Sequence, residues 1–456
     1  MSEESTLALE REPVGKLLRQ YAMPAIIAMT ASSLYNLVDS IFIGQGVGAL
    51  ALSGLAIAKP FMDICAAFGT LVGVGASSLV AIKLGQHDYK TANRVLGNVL
   101  VLNFLLGTLI TIIGIIWLEP ILRAFGASDD TLPYAYDYML IILIGNSLTH
   151  IYFGLNNMLR SSGHPNVSMI ATIVAVSANV VLDPIFIFAL DMGVKGAALA
   201  TILSQLIAVV WQMRTFLDKT QVLHINRDIW HLDANIVGES FAIGLSPFLM
   251  NIAHSFVVVI LNNQLRKYGG DLAIGAYGVI MRFTFVFAMI VMGLNQGMQP
   301  IVGYNYGAKH FDRMMQTFRL TAIYASIVTT LVFLLSEICP ELMARVFTND
   351  EELIKISTHA LRITNMAFFC TGFQMVTGNF FTSIGMAGKS IFLSLTRQVI
   401  FLIPLSIVLP LLWQLDGVWW SVPLSDSLSA ITAAIMLFVN FKKFKKTHKN
   451  NYESID

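Results

Sequence analysis

Long, continuously apolar runs recur along the chain at fairly even spacing, separated by short polar segments. Runs such as VLVLNFLLGTLITIIGIIW favour helices that cross a bilayer, because a transmembrane strand would alternate in polarity over about ten residues. The pattern predicts an all-α integral membrane protein with twelve transmembrane helices, near residues 19–43, 52–82, 95–118, 134–159, 167–190, 194–216, 237–263, 272–303, 314–336, 357–384, 390–412 and 417–440.

Composition supports a membrane protein. The 456-residue chain is 55% hydrophobic and 12% charged, with a mean hydropathy of +0.68, whereas ordinary soluble domains are about 25% charged. The polar start, MSEESTLALEREPVGK, has no short apolar core, so we expect no cleaved signal peptide. A formal net charge of +1, without a basic and aromatic stripe, argues against a nucleic-acid partner. The lipid bilayer is the expected surroundings.

The Lys and Arg residues in the loops indicate the orientation, because cytoplasmic segments carry the excess. Twelve spans place both termini on one side, and that side would hold 18 Lys and Arg residues against six on the other. We therefore predict that both termini are cytoplasmic. The Lys-rich end of the chain is interpreted as a stop-transfer charge cluster, with contact to anionic lipid as the alternative.

The second half of the chain repeats the first. Landmark residues correspond at offsets of 222 to 224 positions, namely Pro24 with Pro247, Asp39 with Asn262, Gly85 with Gly307, Gly163 with Gly385, and Gly193 with Gly417. Chance recurrence is the alternative, since Gly and Pro are frequent in membrane helices. Six helices in each half make the repeats parallel, related by an axis along the membrane normal.

The repeat predicts the domain organisation. We expect an N-lobe at 1–217 with helices 1 to 6, a cytoplasmic linker at 218–235, a C-lobe at 236–441 with helices 7 to 12, and a cytoplasmic Lys-rich tail at 442–456. A cleft between two such lobes is the expected substrate chamber. Because one chain contains both lobes, a monomer is expected to function.

Two carboxylates lie inside apolar runs of the first half, Asp39 in YNLVDSIFIG and Asp183 in ANVVLDPIFIF, and the second half has no acid at the corresponding positions. A charged side chain near the bilayer centre costs on the order of 2.5 to 3.5 kcal/mol on insertion scales, so an acid there usually has a function. The asymmetry predicts that the N-lobe binds the coupling cation.

Polar residues share helix faces with both acids. In the first helix, Tyr35 lies four residues before Asp39, with Asn36 alongside, and in the fifth helix Asn179 lies four residues before Asp183. Carboxyl and amide oxygens suit a proton pair, a Na⁺ ion, or both by turns. Two acids in one low-dielectric pocket cannot both ionise cheaply. A structural hydrogen bond to a neighbouring helix is the alternative for either acid.

Further polar groups are predicted near this pocket. Pro184 has no N–H, so the carbonyl of Val180 loses its helical partner and is available to water or an ion. Thr201 and Gln205 share a face of the sixth helix. The secondary chamber candidates are Tyr35, Asn36, Asn156, Asn157, Gln205, His254 and Asn262.

Other charges in the spans are weaker signals. Lys59 and Asp63 are four residues apart and are expected to pair. Arg282 and Arg397 lie nearer span ends, where long side chains can snorkel, and Arg282 facing the chamber is the alternative. His254 could titrate near physiological pH, with a packing role as the alternative.

Motifs for enzymatic chemistry are missing from the sequence. Cys65, Cys339 and Cys370 are scattered and odd in number, so we expect neither a metal site nor a disulfide, and no cofactor. No HExxH, GxSxG or GxxxxGK[ST] pattern is present. The sequence therefore predicts that the protein is not an enzyme.

Several motifs together resemble a known family. With NLVDSIFIG in the first helix, NVVLDPIFIF and GVKGAALAT across helices 5 and 6, and QGMQPIVGYNYGA ending helix 8, the chain resembles multidrug and toxic compound extrusion (MATE) exporters over nearly its whole length. The resemblance implies an antiporter in the bacterial cytoplasmic (inner) membrane. Such an antiporter expels amphipathic, often cationic organic compounds in exchange for H⁺ or Na⁺.

The resemblance also implies which residues act. The cation-site motif of one bacterial branch falls on Asp39, Asn179, Asp183 and Thr201, and Pro24 matches the proline at which the first helix can bend, with Pro184 as a second bend. Helix 7, which carries an acid in other branches, here has no carboxylate at its middle. This argues against coupling through the C-lobe.

Two other functions are weighed. A lipid-linked oligosaccharide flippase of the same broader fold would need a chamber lined with Arg and Lys for its pyrophosphate, whereas the deepest unpaired charges here are acids. An ion channel would need a filter loop, and none is visible. The preferred hypothesis is alternating access, in which ion binding at Asp39 and Asp183 bends the first helix at Pro24 and releases the substrate.

Overall fold

The N-lobe contains six long helices. The computed structural model describes residues 8–225 and 231–453, with the side chains at 36, 37, 49 and 442–453 outside the description. The helices are α1 (Val14–Gly46), α2 (Ala49–Gly85), α3 (Tyr89–Ile116), α4 (Leu132–Ile144 and Asn146–Ser161), α5 (Pro165–Pro184, continuing to Ala189) and α6 (Gly193–Leu217). The two parts of α4 meet at an angle of 56°.

The C-lobe repeats this order. Helices α7 and α8 together span Ala234–Gly307 and are separated at Gly270, whose φ of 68° lies in the left-handed region that glycine tolerates. The remaining helices are α9 (Phe311–Ile338), α10 (Glu351–Thr364 and Phe368–Ser383), α11 (Ala387–Val408) and α12 (Pro410–Glu453).

The prediction of a twelve-helix membrane fold is confirmed. Within the described residues, nine helices are individually long and apolar enough to cross a membrane, and the bent α4 pair makes a tenth. The break at Gly270 divides the longest of these into two spans, and the two-part α10 completes the twelve.

Surface features also follow the repeat. A short helix, Leu118–Ala124, follows α3, and its counterpart, Pro340–Arg345, follows α9. Each carries an arginine paired with two acids, Arg123 with Glu119 and Asp129, and Arg345 with Glu341 and Glu351. Exposed pairs contribute little to stability, so their value here is as a mark of the duplicated lobes.

Glycines bring helices of the two lobes into backbone contact on the side where the chain termini lie. A Cβ atom added at any of them would lie well inside contact distance of a carbonyl oxygen on the other lobe, because the helix axes approach so closely. The contacts of this glycine seam are Gly75 with Ser240, Gly244 with Leu71, Gly85 with Tyr304, and Gly307 with Ile82. The lobes are therefore closed against each other on this side.

Two polar contacts reinforce this closure. Gln299 of α8 donates from Nε2 to the hydroxyls of Ser78 at 2.7 Å and Ser77 at 3.0 Å in α2. Arg313 of α9 donates from Nη2 to the carbonyl oxygens of Glu12 at 2.6 Å and Leu9 at 3.1 Å. The segment before α1 is thereby attached to the C-lobe.

On the opposite side, the lobes separate. Buried apolar residues form one cluster that combines both lobes near the glycine seam, and two further clusters that each belong to a single lobe. The rings of Phe68 in α2 and Phe248 in α7 still touch, with centroids 4.9 Å apart. One to two turns beyond them, Asp63 and His254 are exposed. A cleft between the lobes thus opens away from the termini.

Candidate functional site

Two carboxyl groups meet inside the N-lobe. Helix α1 packs against α5, and this packing brings Asp39 and Asp183 within hydrogen-bonding reach of each other. Asp183 is 0% exposed and Asp39 is 6% exposed. Two carboxylates in contact in a buried site cannot both carry a charge, so a proton or a bound cation has to reside between them.

Neutral polar groups complete the acid site. In the orientation that satisfies all its partners, the Asn179 amide nitrogen donates to Asp183 Oδ2 at 2.6 Å, and the amide oxygen accepts from the Thr201 hydroxyl at 3.3 Å. The hydroxyl of Tyr35 lies 3.0 Å from Thr201 Oγ1. Three helices, α1, α5 and α6, therefore contribute to one hydrogen-bonded network.

The acid site retains unused acceptors. Among the described residues, Oδ1 of Asp39 and Oδ1 of Asp183 are buried and have no hydrogen-bond partner. A buried carboxyl oxygen without a partner is costly. A proton or a small cation with oxygen ligands would offset this cost. The arrangement is therefore suited to binding and releasing such an ion.

The backbone of α5 changes its hydrogen bonding directly after the second acid. Pro184 ends the α-helical part, and Ile185–Ala189 is π-helical, with the Leu190 amide donating to the Ile185 carbonyl at 2.9 Å. A π-helical turn inserts an extra residue and is frequent at functional sites. By contrast, α1 continues unbroken through Pro24, which is buried.

Tyr138 is a site residue that the sequence reasoning missed. It lies in the first part of α4, is fully buried, and is within electrostatic range of Asp39, Asp183 and Tyr35. The available signal was a run of three tyrosines at alternate positions in YAYDYML. Which of them faces the acids depends on the rotation of α4, which the pattern does not give.

The structure places three secondary chamber candidates away from the acid pair. The amide oxygens of Asn156 and Asn157 accept from Arg160 at 2.6 Å and 2.5 Å, near the end of α4 on the termini side. Gln205 accepts from the Thr149 hydroxyl at 2.6 Å. Asn36 lies in α1, and its side chain is outside the described residues.

The C-lobe candidates are separate from the acid site. Asn262 has a buried Oδ1 without a partner among the described residues, and His254 is exposed in the cleft region. Lys59 and Asp63 form the expected ion pair, both half exposed. Arg282 is exposed.

The expectation that Arg397 snorkels at a span end is wrong. Its Nε donates to Oδ1 of Asp426 at 2.6 Å, and that carboxyl group is 0% exposed. The Thr371 hydroxyl donates to the other oxygen of Asp426 at 3.1 Å. The ion pair holds the arginine inside the lobe, because a buried carboxylate needs a counter-charge.

Comparison with known proteins defines the class. A family model described as MatE matches residues 24–185 and again 247–408, one match in each lobe. The chain therefore belongs to the MATE family. It is a multi-pass membrane transporter, not an enzyme, and as a family member it needs no cofactor.

Individual relatives cover nearly the whole chain. "Multidrug export protein MepA" of Staphylococcus aureus (strain MSSA476) is 26% identical over 439 residues, which are 96% of this chain and 97% of the relative. A MATE structure in the bent conformation superposes with a TM-score of 0.92 at 25% identity, covering 98% and 99% of the two chains. The MATE multidrug transporter DinF-BH in complex with a rhodamine dye gives a TM-score of 0.86 at 38% identity, covering 94% and 96%. These comparisons do not favour the flippase alternative.

Proposed function

We propose that this protein exports amphipathic, often cationic organic compounds in exchange for H⁺ or Na⁺, by alternating access between its two lobes. Its similarity to the multidrug export protein MepA and to the dye-bound DinF-BH transporter supports the substrate class. One observation carries the coupling mechanism: two buried carboxyl groups in contact, each with an unpartnered oxygen, beside a cleft that is closed at one end.

The proposed orientation has both termini in the cytoplasm of a bacterium, with the chain in the inner membrane as a monomer. The excess of Lys and Arg in the segments on the termini side supports it. In this orientation the glycine seam closes the cytoplasmic side and the cleft faces outward. The substrate would leave from this state, and a second state with the seam open would load it.

The acid pair accounts for exchange. Asp39 lies in α1 and Asp183 in α5, so a proton or Na⁺ bound between them draws the two helices together. Deprotonated or empty, the pair is a negative site that attracts an organic cation. Ion and substrate then disfavour each other, and this reciprocity is the thermodynamic requirement for antiport. Pro24 is the position where α1 would bend as the ion binds.

Transport by purified protein in proteoliposomes tests this function. Efflux of a cationic dye would be measured with a pH gradient alone, a Na⁺ gradient alone, and neither. We expect Asp39→Asn and Asp183→Asn to abolish gradient-driven efflux, because an amide binds no proton or cation in exchange.

Asp137→Asn is the matched control. Asp137 is an N-lobe acid that pairs with Lys195 at 3.2 Å in a partly exposed position, so its loss leaves the acid pair intact. If Asp39→Asn and the control transport equally well under both gradients, the coupling assignment is wrong. Transport of a pyrophosphate lipid with no dye transport would instead favour a flippase.

A further inference from the structure

A second buried charge lies in the C-lobe, at a place related to the first by architecture. The fifth helix of each lobe contains a π-helical stretch, Ile185–Ala189 in α5 and Thr396–Leu402 in α11. The first directly follows Asp183, and the second contains Arg397. Each lobe therefore carries a buried charge on a π-modified fifth helix, with opposite signs.

The arginine is anchored by only one of its nitrogens. Nε of Arg397 donates to Asp426, whose second oxygen is occupied by the Thr371 hydroxyl. Within the described residues, the two terminal Nη groups make no hydrogen bond, although they carry four N–H donors. A bidentate pair is the usual geometry when an arginine serves only to neutralise a carboxylate, and this arginine keeps that geometry free for another partner.

The free end of the guanidinium faces the cleft. Asp426 is 0% exposed, whereas the Arg397 side chain is 23% exposed, so the positive end of the pair is the accessible one. Arg397 is within electrostatic range of His254 in α7 and Tyr277 in α8. His254 is in turn within range of Asp63 on the opposite lobe, just beyond the last ring contact of the two lobes.

We propose that Arg397 is a carboxylate-binding residue of the chamber, and that the protein accepts amphipathic zwitterions as well as cations. The ammonium group of such a substrate faces the acids of the N-lobe, and its carboxylate accepts two parallel hydrogen bonds from the Nη groups. The planar fork of arginine matches a carboxylate in this way, and a lysine ammonium does not. The proposal deepens the proposed export function and rests on it.

A matched pair of dyes tests the proposal. One is a rhodamine ethyl ester, which is a cation, and the other is its hydrolysed free acid, which is a zwitterion with the same ring system. Binding of each to the purified full-length protein in detergent would be measured by fluorescence anisotropy, and efflux of each in proteoliposomes. For Arg397→Lys, which keeps the charge opposite Asp426, we expect at least a tenfold weaker binding of the free acid and unchanged binding of the ester.

A second variant separates recognition from folding. Replacing both members of the pair, Arg397→Met with Asp426→Leu, leaves no buried charge unpaired, and we expect the same selective loss of the free acid. Arg362→Gln, at an exposed arginine of α10, is the control and should change neither dye.

The outcomes are distinct. If Arg397→Lys weakens ester and acid equally, Arg397 has a structural role only and the inference is overturned. The inference is also overturned if the wild type binds the ester but not the free acid. If the wild type moves neither dye under any gradient, the proposed export function itself fails.

Discussion

Gly244 offers a direct test of the glycine seam. A Cβ atom at this position would overlap the carbonyl oxygen of Leu71 and lie 3.2 Å from its Cα. Both are backbone atoms of a helix in the other lobe, so neither can rotate away. Gly244→Ala therefore has to push α2 and α7 apart, whereas it fits without conflict once the lobes have separated.

The expected magnitude follows from this overlap. Overpacking by one or a few methyl-sized groups costs about 1–3 kcal/mol, and here the cost falls only on the closed seam. A shift of this size changes an equilibrium by about 5- to 150-fold. The population with the seam open should rise by that factor. Gly75→Ala, which meets the carbonyl oxygen of Ser240, should act in the same direction.

Cysteine labelling measures this population. In a background without the three native cysteines, Ala81→Cys places a thiol at a buried α2 position that faces Gly303 of α8 across the seam. A membrane-impermeant maleimide applied from the termini side should label it about 5- to 150-fold faster in the Gly244→Ala protein, provided that opening and closing are faster than labelling.

Gly238→Ala is the control within the same helix, since a Cβ atom there meets nothing within 4 Å. The reasoning is refuted if both alanine variants, folded and monodisperse by size-exclusion chromatography, label at the same rate as the parent.

Three further predictions concern other contacts. Gln299→Leu removes two hydrogen bonds between the lobes, worth about 0.5–1.5 kcal/mol each, and should raise seam labelling in the same assay. Arg313→Gln should speed trypsin cleavage within residues 8–12, because it releases the carbonyls that hold this segment; unchanged cleavage would contradict the attachment. Asp88 caps α3 by accepting from the Thr91 amide at 3.1 Å, so Asp88→Ala should lower thermal stability in detergent by about 1 kcal/mol at pH 7. Hydrogen bonds from Thr91 lower the pKa of Asp88 below its usual value, so its contribution is full above about pH 4 and is lost as the pH falls further, and the two proteins should converge in acid.

Much of the architecture could be predicted from the sequence, because the signals are local. Each span is a single apolar run, and the break between α7 and α8 falls at Gly270, between two runs that the hydropathy pattern already separates. The faces of α1 and α5 followed from four-residue spacing, which correctly placed Asn179 beside Asp183.

The remaining contacts depend on how helices are rotated against one another, and no spacing within one helix contains that information. Asn156 and Asn157 have the polarity of chamber residues, but α4 turns both towards Arg160. Arg397 and Asp426 lie 29 residues apart on different helices, so their pairing was invisible as a pattern.

The three buried apolar clusters have a consequence for temperature. The two clusters on the cleft side each belong to one lobe and stay intact when the lobes move as units. The cluster that joins the lobes would be divided in any state with the seam open, and part of its apolar surface would meet water. Exposing apolar surface to water raises the heat capacity, so the free energy between the two states should curve with temperature, and transport rates should depart from a straight Arrhenius line.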